Sequence, residues 1–210
     1  MQNRTDAHAI QLDFNEAIRI LMLALEIDPA ARSAVQARVR QLQRMGLSKR
    51  PEGRAYERFT YGLLELATLA TAFRLMAAFV LPIVAVRLLT ERWADFVPAL
   101  VSGVADADVE YEWGAGETDQ GPLIAIEGVS LSRLGQKTAT DSRYDGPLGR
   151  IDRHAGNAMM DDVFGATMVG GVVIDTRSYM VGLAGNLAAL DFVSTAQIAD
   201  EIDRLRFSVL

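Results

Sequence analysis

Asp28-Pro29-Ala30-Ala31-Arg32-Ser33-Ala34-Val35-Gln36-Ala37-Arg38-Val39-Arg40-Gln41-Leu42-Gln43-Arg44-Met45-Gly46 is punctuated as a helix at both ends. Asp28 is a capping residue. Pro29 suits the first helical position, where its missing N–H has no partner to lose, and Gly46 can take the left-handed conformation that ends a helix. Between these marks Val35, Val39 and Leu42 recur at helical spacing and form one apolar stripe. The other sides carry Arg32, Gln36, Arg38, Arg40, Gln41, Gln43 and Arg44, all long side chains that are basic or amide-bearing. Such a helix docks on its own domain by one face and offers hydrogen-bond donors to solvent by the other.

Upstream, Phe14, Ile18, Leu21 and Leu25 recur at i, i+4, i+7 and i+11 and predict a helix over residues 14–26. Downstream, residues 47–56 contain Arg50-Pro51-Glu52-Gly53, which suits a type I turn with Pro second and Gly fourth, so a small hairpin is expected there. A strongly apolar helix follows over 60–78. Pro82 then opens a further helix through Val86, Leu89 and Trp93. Near Pro98 the chain turns rich in Gly and in short apolar runs bounded by turn residues, which read as strands at 109–113, 123–131, 168–174 and 179–183. Gly182, Gly185 and Asn186 read as a turn, and the polar interval 135–165 as a long, partly mobile loop. Ser194 and Gln197 stand in capping-box positions before a last helix over 195–207, whose stripe of Ile198, Ile202 and Leu205 fits either a dimer contact or its own domain. The expected fold class is α+β. A mostly helical N-terminal domain covers residues 1–97, and a smaller strand-containing domain, for self-association or effector sensing, covers 98–210.

Half of the 210 residues are hydrophobic by type, enough to bury a core, which excludes disorder as the main description. There is no cysteine and only two histidines, which excludes disulfide scaffolds, zinc ribbons and thiol nucleophiles and leaves no metal site or cofactor to expect. No secretory pattern opens the chain. The most membrane-like run, 75–86, is interrupted by Pro82 and falls short of the roughly 20 residues a crossing needs, so a cytoplasmic protein without membrane contact is expected.

The formal charge of −6 hides an asymmetry. Residues 32–58 hold eight basic side chains (Arg32, Arg38, Arg40, Arg44, Lys49, Arg50, Arg54, Arg58) against Glu52 and Glu57, a local +6. The rest of the chain holds 13 basic and 25 acidic groups, or −12, densest at Asp106, Asp108, Glu110, Glu112, Glu117 and Asp119. An acidic body carrying one basic face discourages contact with nucleic acid everywhere except at that face.

Two helices, the second basic, then a hairpin carrying cations is the layout of a winged helix-turn-helix. Arg pairs bidentately with guanine and Gln with adenine, and cations on a wing hold the neighbouring phosphates. The run Arg38-Val39-Arg40-Gln41-Leu42-Gln43-Arg44-Met45-Gly46-Leu47, followed by Gly53-Arg54-Ala55-Tyr56 and two helices, resembles the DNA-binding domain of MerR-type transcriptional regulators over residues 14–93. In that family the second helix ends in a Gly-Leu pair and an arginine-tyrosine element closes the wing. The resemblance implies that Arg38, Arg40 and Arg44 lie on or near a recognition helix, that Arg54 belongs to a wing, and that Tyr56 packs at its base. The long dimerisation helix usual in that family is replaced here by the Gly-rich region, and the cysteines of its metal-sensing members are absent.

The expected function is therefore a sequence-specific DNA-binding transcriptional regulator acting as a homodimer or higher homo-oligomer on double-stranded DNA. Arg32, Gln36, Arg38, Arg40, Gln41, Arg44, Lys49, Arg50 and Arg54 are its contact residues, and it is not an enzyme. The alternative is an interaction or scaffold protein that uses the same basic helical face to bind an acidic partner. His154, Asn157, Asp161 and Asp162 cluster in sequence but match no ligand spacing, Asp141, Ser142 and His154 lack a nucleophile elbow, and the glycines from Gly165 to Gly171 precede a strand rather than open a helix, so none of these sets predicts catalysis.

Overall fold

The computed structural model describes residues 9–47, 59–105, 123–134, 143–151 and 170–208. It is an α+β structure in which helices dominate and a small antiparallel sheet lies in the C-terminal half. Helix α1 (Phe14–Ala24) is opened by a capping box: Asp13 Oδ1 accepts from the Asn15 and Glu16 amides at 2.7 and 2.9 Å, and Glu16 Oε2 accepts from the Asp13 amide at 2.8 Å. A 3₁₀ turn (Pro29–Ala31), capped by Asp28 as its sequence implies, leads directly into α2 (Arg32–Arg44). Helix α3 (Leu63–Ala77) and helix α4 (Pro82–Ala105) follow.

Strand β1 (Leu123–Glu127) runs straight into a short helix, α5 (Gly128–Leu134). Then come β2 (Leu148–Ile151), β3 (Gly171–Asp175), α6 (Arg177–Ala188) and α7 (Thr195–Arg206). The sheet order is β2-β1-β3, all antiparallel, with Leu123 opposite both Ile151 and Asp175. The central strand buries Ile124, Ala125 and Ile126 against α4 and α5.

Several expectations are corrected. Residues 179–183, expected as a strand, and the Gly182-Gly185-Asn186 turn both lie inside α6. Tyr179 is wholly buried there, and Gly182 is where α6 crosses α1: a Cβ on it would meet the Ala24 Cα at 3.0 Å, so the glycine permits close helix packing instead of a turn. The expected strand at 123–131 ends at Glu127, whose carboxylate accepts from the Ser130 amide and hydroxyl and so turns the chain into α5. The interval expected as a loop contains β2, tied to α4 through Tyr144. That hydroxyl donates to Pro147 O at 2.8 Å, the Tyr144 amide donates to Glu91, and Arg92 lies over the ring. Burial pushes the Tyr144 phenol up to about 12.

Helix α4 also continues past Pro98, with a break in regular geometry at Arg92, so the expected division at 97–98 falls inside a helix. Its C-terminal half is pinned to α6 where the buried Thr176 hydroxyl donates to Ala99 O at 2.6 Å. One core runs through both halves, joining Leu21, Val39, Leu69, Leu88 and Phe96 to Ile126, Leu183 and Leu205. The stripe of α7 is spent within the chain, against α3, α4 and α6. Among the described residues no helix is long and apolar enough to cross a membrane.

Candidate nucleic-acid interface

Helix α2 is held from one side only. Val35, Val39 and Leu42 are buried against α1 and α4, while Arg32, Arg38, Arg40 and Arg44 are exposed and Gln36 and Gln41 half-buried. The helix contains no acidic residue, and among the described residues none of its four arginines forms an ion pair. The apolar stripe therefore decides the orientation, and no carboxylate among the described residues compensates the arginines.

The start of α1 and the entry to α3 orient this face. Leu12 and Tyr61 form a two-way backbone bridge at 3.0 Å, and the buried Tyr61 ring packs between Phe14 and Phe59. Gln43 donates to the Tyr61 hydroxyl at 2.8 Å. The Arg40 guanidinium lies 4.9 Å from the centre of the Phe14 ring, a cation–π contact that positions it without neutralising it. Gln36 Nε2 reaches Asn15 Oδ1 at 3.4 Å, Arg38 Nη1 donates to Gln41 Oε1 at 2.9 Å, and Arg44 Nε donates to Arg40 O at 3.3 Å. Each tie is to a neutral acceptor and leaves most guanidinium donors unused, since Arg carries five. Arg44 also stands in the last turn of α2, where a cation is favoured by the helix dipole.

Six of the nine predicted contact residues are thus gathered on one helix; Lys49, Arg50 and Arg54, with the expected hairpin and Tyr56, lie outside the described residues. So do the acidic patch at 106–119 and the clusters around Asp141 and His154. One surface feature was missed: the connection between α3 and α4 projects Phe79, 96% exposed, and Leu81, 58% exposed, beside the Arg38 flank of α2. Its only sequence signal was the apolar run 75–86, in which exposed and buried residues look alike. Comparison with protein-family models, with curated proteins and with solved structures finds no match to this chain.

Proposed function

We propose that the chain is a sequence-specific DNA-binding transcriptional regulator of MerR-like winged helix-turn-helix type. The observation that carries this reading is α2: docked by Val35, Val39 and Leu42, it exposes four arginines that pair with no carboxylate among the described residues, on a chain of net charge −6. In this reading Arg38, Arg40 and Gln41 meet base edges. Arg32 and Arg44 meet phosphates, and Lys49, Arg50 and Arg54 extend the contact along the backbone from a wing. One such helix reads a short half-site, so a homodimer supplies the second.

Selection of bound duplexes from a random-sequence pool by the full chain tests this. The expected result is enrichment of a motif in two related halves, with centres about one helical turn or a multiple of it apart. A pool that stays unenriched while the protein is folded contradicts sequence-specific recognition; a motif without repetition contradicts the dimer.

A further inference from the structure

The Arg38 flank of α2 borders a hollow of about 460 Å³, walled by Val35, Phe73, Met76, Phe79 and Leu81. A second hollow of about 450 Å³ lies against the same Phe79-Val80-Leu81 segment, reaching Leu131 and Val172. Both are shallow and open to solvent, with room for part of a small ligand and not for its enclosure. Among the described residues Arg38 is the one charged group lining the first hollow, set at the rim of apolar walls, and its hydrogen bond to Gln41 is to a neutral partner. Phe79 has φ +64°, a left-handed conformation costly for an aromatic residue, yet its ring gains no burial within the chain.

The size of the patch decides what covers it. Phe79 and Leu81 together expose only a few hundred Å² of apolar surface, roughly what a small ligand covers. A small amphipathic ligand fits this area. The single planar guanidinium matches the two oxygens of a carboxylate, whereas a phosphate calls for more cations than one. Met76 and the aromatic walls adapt to a flexible aliphatic body.

We propose that this hollow binds an acyl carboxylate, its carboxylate on Arg38 and its chain lying between α2, α3 and the Phe79 ring. Occupation neutralises one of the four exposed arginines of α2 and adds bulk on that flank. On the reading given under Proposed function, the ligand therefore releases DNA.

Calorimetric titration of the full chain with dodecanoate, below the concentration at which it forms micelles and without DNA, tests the site by itself. One saturable site per chain is expected, weakened at least tenfold in Arg38→Gln and in Leu81→Asp, with dodecanol binding at least tenfold more weakly than dodecanoate. Absence of saturable binding, equal affinity for dodecanol, or unchanged affinity in Arg38→Gln overturns the proposal, as does non-stoichiometric adsorption. Repeating the titration with DNA present separates the two readings. Weaker DNA binding at saturating dodecanoate supports the regulatory link and unchanged DNA binding overturns that link. Dodecanoate bound at one site by a protein with no affinity for DNA leaves the ligand site standing and removes the regulator.

Discussion

Three helices of this protein end on the same backbone device, and only one of them ends on glycine. After α1, α2 and α3 the chain places Glu26 (φ +56°), Gly46 (φ +99°) and Phe79 (φ +64°) in the left-handed region. Each time the next residue's amide returns to the carbonyl five positions back: Ile27 to Met22, Leu47 to Leu42 and Val80 to Leu75. The pair that closes each motif is apolar, as is frequent in this cap. Gly46 was legible because glycine adopts this conformation without strain; Glu26 and Phe79 were not, because the backbone there is set by the closing contact instead of by the residue's own preference. Replacing Phe79 with Gly removes the steric cost and little burial, so it should raise unfolding stability by about 1 kcal/mol, measured by urea denaturation. Gly46→Ala should lower it by about the same amount. Loss of stability in Phe79→Gly would show that the ring makes stabilising contacts despite its exposure.

At the scale of elements, strong local signals survived and tertiary contacts overrode weak ones. Ser194 and Gln197 form the expected capping box, with Gln197 N donating to Ser194 Oγ at 3.2 Å and Ser194 N to Gln197 Oε1 at 2.8 Å. The stretch Tyr179-Met180-Val181-Gly182-Leu183 has strand-like composition, yet it is helical because Tyr179, Met180 and Leu183 fill the core and Gly182 allows α1 to approach. Gly182→Ala drives a Cβ into the backbone of Ala24 and should cost about 1–3 kcal/mol; unchanged stability in chemical denaturation contradicts that crossing.

The start of α3 is held by two carboxylates. Glu65 accepts from the Gly62 amide at 2.8 Å and Glu201 of α7 from the Leu63 amide at 2.9 Å. Burial raises the pKa of Glu65 above 4.5, with the charge of Glu201 adding to the rise against its backbone hydrogen bonds. Between 4.5 and that raised value the folded protein retains a proton the unfolded chain has released. The stability from this group is therefore present below 4.5 and is lost as pH rises through the folded pKa. Glu65→Gln keeps an acceptor for Gly62 without the charge. Its denaturation midpoint should fall less than that of the parent as pH rises through the window, and parallel pH profiles would contradict the buried carboxylate.

For the whole molecule, the net charge of −6 is the sum of a basic segment and an acidic remainder, and α2 exposes four of the basic groups around its solvent side and flanks. This much of the candidate site was legible, because an apolar stripe of three residues fixes which way a short helix faces. The Phe79 ridge was not, since an apolar run does not disclose which of its members the packing leaves outside. Nor was the single core: Pro98 signalled a break, but α4 carries it within a long helix anchored at Ala99 by Thr176.

If the α2 arginines meet nucleic-acid phosphates and bases, as proposed above, duplex binding must weaken steeply with salt. Fluorescence anisotropy with a labelled duplex should give log K falling linearly with log salt, with a slope flattened by about 0.9 for every phosphate contact removed. Arg44→Ala should flatten it by about that amount, and Arg32→Ala with Arg44→Ala by about twice as much. Absence of binding at about 50 mM salt, or a slope unchanged in the double variant, would mean that these arginines do not meet DNA phosphates.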